Sequence, residues 1–228
     1  MFFPWVGLFE QIKLADIYVH LDDVQFPQGR SFMNRVQLKT PQGSQWLTVP
    51  VQRQGIQSIN EVVIDSSQNW KVKHLKTLQT NYAKAPYFKN MWDIVNRVYD
   101  QDINCISELN ISIIEMIADY FSIKPAFYRS SSLGITSKST NRLLDIVKQL
   151  NGDIYVTGHG ASKYMDHELF EDSSIRVEYM DYRRTQYPQL YGEFDPHVSI
   201  LDLISNVGKD GVRYIHSSTK YWRDFIDG

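Results

Sequence analysis

The sequence is poor in the features that mark secreted and membrane proteins. Cys105 is the only cysteine, which excludes an internal disulfide framework and a metal site built on cysteines. No apolar run approaches the roughly 18 residues of a membrane-spanning helix, and no charged segment leads into an apolar leader. We therefore expect a cytoplasmic chain without membrane insertion.

Catalytic signatures and an excess of charge are missing as well. The histidines are scattered without the HExxH spacing of zinc enzymes, so no metal site is predicted. No G-x-S-x-G nucleophile motif occurs either. The formal net charge of -2 provides no global attraction to nucleic acid, although local basic patches are compatible with it.

The chain is instead rich in apolar and aromatic residues. Hydrophobic residues make up 43% of its 228 residues and aromatic residues 13%, which is enough for one large domain or two small ones with real cores. Tyrosine and tryptophan combine an apolar body with a polar tip, so they serve cores and ligand sites equally well.

Hydrophobic periodicity predicts alternating helices and strands and therefore an α/β fold, with a β-hairpin and a helical region inserted into it or packed on it. The hairpin turn is predicted at Pro41–Ser44, with about four residues. The predicted helices are 6–14, 69–82, 91–100, 105–121, 137–150, one from about 199 and one near 221. The predicted strands are 17–21, 35–39, 45–51, 59–64, 123–128, 153–157 and 175–182.

Adjacent carboxylates stand where the first strand ends. Asp22 and Asp23 follow the strand 17–21, with Gln25 just beyond. Open α/β sheets bind ligands at the carboxyl ends of strands, so these residues are candidates for catalysis (the two aspartates) and substrate binding (Gln25). Hydroxyls, a cation or an amine would suit them; a solvated strand end or a cap is the alternative.

Basic residues cluster in the next loop and strand and again at a helix start. Arg30, Asn34 and Arg35 could hold a phosphate or carboxylate, because guanidinium groups bind such anions bidentately. Lys73 and His74 lie near the start of the helix 69–82, where an anion would also be favoured. An exposed basic surface remains the alternative for both groups.

Two further loops combine small and polar residues. The segment Ser130–Arg142 precedes a helix and could cradle a phosphate, with Lys138 and Thr140 as binding candidates; ordinary helix capping is the alternative.

The second of these loops contains Gly158, His159 and Gly160, which directly follow the strand 153–157, with Tyr164 close behind. His159 is the candidate general acid or base and the other three are binding candidates; a tight turn is the alternative.

Several of these segments together resemble the WbqC-like family over nearly the whole chain. The matching motifs are FFPWVGLFEQI at 2–12, DDVQF at 22–26, Asn34-Arg35, QWLTVPV at 45–51, W-x-x-K-H-L-K-T at 70–77, Y-x-K-A-P-Y-F at 82–88 and F-x-P-x-x-S-I-L-D-L at 194–203. Because the resemblance covers nearly the whole chain, we expect a single domain, 1–228. Family members usually begin with a short strand that ends in Gln-Pro-Tyr. This chain starts at Met1-Phe2-Phe3-Pro4, so we expect it to lack that strand.

The resemblance implies a role in bacterial O-antigen, lipopolysaccharide or other surface-polysaccharide biosynthesis. Some members are proposed to transfer an amino acid such as glycine to the amino group of a sugar. The expected function is therefore a transferase acting on a nucleotide-linked amino sugar, with an amino-acid or acyl donor. The donor is left open between ATP-dependent activation and another activated acyl group, including a charged tRNA. A non-catalytic nucleotide-sugar-binding or scaffold protein of the same pathway is the alternative.

A looser similarity concerns the fold. The order of turn, helix, Ala15-Asp16 and strand resembles the nucleotidylyltransferase-type Rossmann-like domain, which implies a three-layer core. Val6 and Leu8 stand near the positions where that class carries its phosphate-binding histidines. Adenylyl transfer is therefore not expected even if the fold is shared.

Overall fold

The computed structural model describes residues 1–226 and has a mixed α/β architecture, so the predicted α/β class is confirmed. The described residues form eight α-helices: α1 (Val6–Leu14), α2 (Trp70–Tyr82), α3 (Phe88–Tyr99), α4 (Ile106–Tyr120), α5 (Ser139–Gln149), α6 (His167–Glu171), α7 (Ile200–Val207) and α8 (Trp222–Ile226). Their strands are β1 (Ile17–His20), β2 (Arg35–Thr40), β3 (Gly43–Thr48), β4 (Val51–Gln52), β5 (Val63–Ile64), β6 (Ala126–Arg129), β7 (Ile154–Thr157), β8 (Arg176–Asp181) and β9 (Ser218–Tyr221).

Across the described residues the strands are divided among four small sheets. β1 and β6 form a parallel pair, and β2–β3 and β4–β5 form antiparallel pairs. In the fourth sheet β8 lies between β7, which is parallel to it, and β9, which is antiparallel. A Rossmann-like three-layer core is not confirmed, because each parallel pairing joins only two strands.

The chain divides into two compact units. Unit 1 comprises residues 1–9, 22–124 and 184–215, and unit 2 comprises 10–21, 125–183 and 216–228. The boundary falls within α1. In chain order, the hairpin β2–β3 and helices α2–α4 lie between the paired strands β1 and β6. The expectation of a single domain stays a prediction.

Unit 1 is built around helices α3, α4 and α7. Leu109, Ile113 and Ile117 recur at the four-residue spacing of one helix face in α4 and are buried. Ser199 caps α7: its hydroxyl accepts a hydrogen bond from the Leu201 N–H and donates one to the Phe3 carbonyl at 2.9 Å. The helix is thereby fixed against the first residues of the chain.

Unit 2 has its own apolar cluster beneath the sheet β7–β8–β9. Phe170, Val177 and Tyr179 are fully buried in it, together with Leu144 from α5. Burying an aromatic or branched side chain of this kind contributes about 1.5–3 kcal/mol each. The cluster therefore holds α5 and α6 against one face of the sheet.

Two local expectations were wrong. The hairpin turn has two residues rather than four, because Thr40 pairs with Gly43, whose φ of 106° glycine adopts without strain. The segment 59–64 is a 3₁₀ turn (Ile59–Glu61) followed by the two-residue β5. The Glu61 carboxylate accepts a hydrogen bond from the Ser58 N–H at 2.8 Å, and this local capping overrides the strand propensity of the isoleucine and valine residues.

Candidate functional site

The residues predicted to form a site are divided between the two units, and each group is described within its own unit. Unit 1 contains Asp22, Asp23, Gln25, Arg30, Asn34, Arg35, Lys73 and His74. Unit 2 contains Lys138, Thr140, Gly158, His159, Gly160 and Tyr164. Their assignment to one substrate stays a prediction.

In unit 2 the predicted turn 158–160 lies at the carboxyl end of β7, next to the end of β8. Thr157, the last residue of β7, pairs with Tyr179 of the parallel strand β8. A Cβ atom on Gly158 would lie 3.2 Å from the hydroxyl of Tyr182, whereas one on Gly160 would meet no atom within 4 Å. The backbone at Gly160 is therefore open to close approach by a ligand.

His159 is exposed and its orientation is fixed. Its Nε2 lies 2.6 Å from the carbonyl oxygen of Met180, and its ring packs against Tyr182 and Phe225 with centroid separations of 5.2 and 4.8 Å. A carbonyl oxygen only accepts hydrogen bonds, so Nε2 carries the proton in the neutral ring. Nδ1 then has the free lone pair of a proton acceptor.

Glu10, Ser217 and His216 lie at the same end of β8. The Ser217 hydroxyl donates to the Glu10 carboxylate at 2.8 Å and accepts from the N–H of Arg183, two residues beyond β8, at 3.3 Å. Burial raises the pKa of Glu10, while the Ser217 hydrogen bond and His216 act in the opposite direction. His216 Nδ1 is buried and has no hydrogen-bond partner in the described residues.

Sequence reasoning missed these three residues. The sequence does contain one signal for Glu10: it lies between the apolar residues Phe9 and Ile12 of a short helical segment. In the structure both of these apolar side chains are fully buried. A carboxylate on the buried part of a short helix is costly unless it is hydrogen-bonded, so Glu10 was the unusual residue of that segment. Its partner Ser217 is 207 residues away, which no local pattern reveals.

The other predicted residues of unit 2 are spread along its loops. Thr140 is buried, and its hydroxyl accepts from the Asp166 N–H at 3.2 Å; Lys138 is exposed at the start of α5, and Tyr164 is 60% exposed. Within the loop before α5, the Ser137 hydroxyl donates to Asp145 at 2.6 Å. Helix capping and loop closure therefore account for part of this segment, while Lys138 and Tyr164 face solvent.

In unit 1 several predicted residues support the fold. The Asn34 amide donates to the Val49 carbonyl at 2.9 Å. His74 is buried, with Nδ1 2.9 Å from the Tyr99 hydroxyl and Nε2 3.0 Å from the Thr48 carbonyl. Burial lowers the pKa of His74 to about 4, so the ring is neutral and bridges α2, α3 and β3.

Five further predicted residues of unit 1 differ in exposure. Asp22, two residues after β1, is buried, and its carbonyl accepts a hydrogen bond from the Asn60 N–H at 2.8 Å; Asp23 is half-buried. Gln25, Arg30 and Lys73 are exposed. The strand-end position expected for the two aspartates is thus the observed one, and their chemistry stays a prediction.

A polar cluster that sequence reasoning did not identify lies inside unit 1. Asp202 of α7 is fully buried and accepts hydrogen bonds from Tyr82, at 3.1 Å, and Tyr187. Lys39 is also buried, and its ammonium group donates to Gln189 at 2.8 Å and to the carbonyl of Glu193. Asp202 has no exposed surface, so this cluster is a polar part of the core rather than a ligand site.

Among residues 1–226, no group of three or more His, Cys, Asp or Glu side chains is placed to hold a metal ion. Over the same residues, no helix has both the length and the apolarity needed to cross a bilayer.

The fold and the strand-end residues define an α/β protein with a histidine, a buried glutamate and an open glycine turn at the carboxyl ends of two parallel strands. The WbqC-like protein family model matches residues 1–214, so the chain belongs to the WbqC-like protein family. It is 36% identical over 219 residues to "Uncharacterized protein Rv1507c" of Mycobacterium tuberculosis, with 94% of each chain covered. No solved structure matches it.

Proposed function

We propose that the protein is a cytoplasmic transferase of bacterial surface-polysaccharide biosynthesis that forms an amide on the amino group of a nucleotide-linked amino sugar. The single observation that carries the proposal is the arrangement at the carboxyl ends of β7 and β8: His159 is held in the glycine turn by the Met180 carbonyl, and the pair Glu10–Ser217 is hydrogen-bonded to the backbone of Arg183, just beyond β8. The WbqC-like family, through the resemblance described above, supports the pathway.

His159 has the geometry of a general base. A sugar amine attacks an acyl carbon only in its neutral form, and it must lose a proton as the amide forms. With Nε2 donating to Met180, Nδ1 of His159 is the group that accepts this proton. The N–C bond forms, the bond from the acyl carbon to its leaving group breaks, and His159 returns the proton to that leaving group.

Glu10 acts as a positioning residue. Its carboxylate holds the hydrogen of the Ser217 hydroxyl, so the remaining lone pair of that hydroxyl is directed away from Glu10 and can accept a hydrogen bond from a substrate hydroxyl or amine. Lys138, exposed at the start of α5, is suited to the diphosphate, because a helix start and a cation both favour anions. The roles of Asp22 and Asp23, which belong to unit 1, stay a prediction.

The proposal is tested with purified protein, a nucleotide-linked 4-amino sugar, candidate amino acids including glycine, and ATP. The expected result is a sugar product whose mass has increased by one aminoacyl group. His159→Gln should lower turnover by about a hundredfold or more, the usual contribution of a general base. His197→Gln, which replaces an exposed histidine of unit 1, is the matched control and should leave turnover unchanged.

Two outcomes would overturn the proposal. Full turnover in His159→Gln would remove its proposed base. Failure to form product with any donor, including pre-formed aminoacyl-tRNA and acyl-adenylate, would refute the transferase. If the same nucleotide-linked sugar then bound measurably, the non-catalytic nucleotide-sugar-binding protein would be the better description.

A further inference from the structure

Two aromatic side chains of unit 1 are exposed side by side. Trp46 of β3 is 37% exposed and Phe32, three residues before β2, is 48% exposed. Their ring centroids are 5.7 Å apart and the rings are tilted by 46°. Aromatic side chains are normally buried in a core. Two neighbouring rings that are both exposed therefore form a surface on which another flat or apolar group can stack.

The backbone holds both rings in place. The Phe32 carbonyl accepts from the Phe2 N–H at 2.9 Å, and the carbonyl of Met33 accepts from the buried Asn110 amide at 2.8 Å. Trp46 lies in the hairpin, opposite Gln37. The stacking surface is therefore formed by fixed backbone, and little ordering is needed when a ligand binds.

Arg35 completes this surface and lacks a counterion. Its guanidinium carbon lies 3.9 Å from the centroid of the Trp46 ring. Its Nε is buried without a hydrogen-bond partner, and no carboxylate within residues 1–226 forms an ion pair with it. A guanidinium without a carboxylate partner is suited to an external anion, because the planar fork of its N–H groups matches the oxygens of a phosphate.

The surrounding segment is cationic. Residues 24–60 include four basic side chains, Arg30, Arg35, Lys39 and Arg53, and no Asp or Glu, although the whole chain has a net charge of -2. Lys39 is occupied by Gln189 and Glu193, and Arg53 donates to the Gly29 carbonyl at 3.1 Å. Arg30 and Arg35 are therefore the cations best placed in this segment to receive an anion.

We propose that this surface, defined by Phe32, Arg35 and Trp46, binds a nucleoside polyphosphate. The base stacks on the exposed aromatic rings and a phosphate group accepts hydrogen bonds from Arg35. A neutral sugar would leave the guanidinium unpaired, and the negative net charge of the chain disfavours a long polyanion. No residue of this surface takes part in the proposed transferase step, although Arg35 is one of the residues that the sequence predicts to bind a substrate anion. The site therefore stands or falls by nucleotide binding, independently of the proposed reaction.

Binding is tested by calorimetry with uridine 5′-diphosphate, adenosine 5′-diphosphate, pyrophosphate and uridine. At least one of the two nucleoside diphosphates should bind. The affinities of pyrophosphate and of uridine should each be lower by about tenfold or more, because pyrophosphate cannot stack on the rings and uridine has no phosphate for Arg35. Tighter binding of adenosine 5′-diphosphate would indicate that the natural ligand is an acyl-activating nucleotide. Tighter binding of uridine 5′-diphosphate would indicate that it is a nucleotide-linked sugar. Both results support the site, whether or not any transfer reaction is detected.

Variants locate the site. Arg35→Gln and Trp46→Leu should each weaken nucleotide binding about tenfold or more. The matched controls, Arg97→Gln and Tyr128→Leu, replace an exposed arginine and an exposed tyrosine and should leave the affinity unchanged. If either test variant fails to fold, Arg35→Lys and Trp46→Phe replace them. Arg35→Lys should weaken nucleotide binding because an ammonium group lacks the planar fork, and Trp46→Phe should retain most of the affinity because an aromatic ring remains for stacking.

Three outcomes would overturn the proposal. Pyrophosphate binding as tightly as the nucleotides would reduce the site to a simple anion site. Unchanged nucleotide affinity in Trp46→Leu or Arg35→Gln would place binding elsewhere. Tight, steeply salt-dependent binding of an oligothymidylate, without binding of either nucleotide, would indicate a nucleic-acid surface instead.

Discussion

Replacing Asp202 by asparagine is expected to remove a pH dependence from the stability of unit 1. Burial raises the pKa of Asp202 from 3.8 to about 6, in spite of hydrogen bonds from Tyr187 and Tyr82 and the nearby charge of Lys39. Because the folded protein holds this proton more tightly than the unfolded chain, the contribution is favourable at low pH and declines as pH rises from about 4 through 6.

The size of the effect follows from the shift. One pKa unit corresponds to 1.36 kcal/mol, so a shift of about two units corresponds to about 3 kcal/mol of stability lost between acid and neutral pH. About half of this, ~1.4 kcal/mol, falls between pH 5 and pH 7.5. Asp202 is fully buried, so solvent screening does not diminish the figure.

Urea unfolding at pH 5 and pH 7.5, followed by tryptophan fluorescence, measures the difference. Four of the five tryptophans, at positions 5, 46, 70 and 92, lie in unit 1. The unmodified protein should lose about 1.4 kcal/mol more than Asp202→Asn over this range, and the exposed-site control Asp93→Asn should behave like the unmodified protein. Parallel pH profiles for Asp202→Asn and the unmodified protein would refute the reasoning.

Three further substitutions test other parts of the fold. His74→Gln should abolish an acid sensitivity: since the pKa of His74 falls from 6.5 to about 4 on folding, the unmodified protein should lose up to about 3 kcal/mol more than this variant between pH 6.5 and pH 4. Urea unfolding measures the difference, and the opposite contribution of Asp202 cancels because it is common to both proteins. Gly208→Ala should lower the melting temperature, because φ is 66° and the new Cβ would lie 2.5 Å from the Tyr87 ring; an unchanged value would contradict this. Phe170→Ala should cost about 3–5 kcal/mol by leaving a cavity, and a loss below about 1 kcal/mol would mean that the unit 2 core is not packed as described.

Much of the secondary structure could be predicted because its signals are local. The periodic apolar residues of α4 and the Asn-Gly stop at 151–152 after α5 depend only on near neighbours in the chain. The position of His159, two residues after the end of β7, could be predicted for the same reason. The strand pairing could not be, because β1 joins β6 across more than a hundred intervening residues and nothing local distinguishes four small sheets from one continuous sheet.

The two polar clusters escaped prediction for a related reason. Tyr82 and Asp202 are 120 residues apart, and Glu10 and Ser217 are 207 residues apart. Each residue alone has an ordinary explanation: a core tyrosine, a helical aspartate, a helical glutamate, a loop serine. Only the fold brings the partners to hydrogen-bonding distance, and only burial then distinguishes these carboxylates from exposed ones.

The residues of the family motifs differ in whether packing of the fold is enough to explain them. Asn34, His74 and Asp202 are buried and hydrogen-bonded to groups of unit 1, so folding alone explains them. Glu10 belongs to the motif 2–12 but has a different setting: its side chain is buried, and within residues 1–226 the one hydrogen bond that its carboxylate receives comes from Ser217, with His216 as the nearby stabilising charge. A carboxylate kept there with so little compensation costs stability. Among these motif residues, Glu10 is therefore the one whose presence packing explains least and the strand-end site explains best.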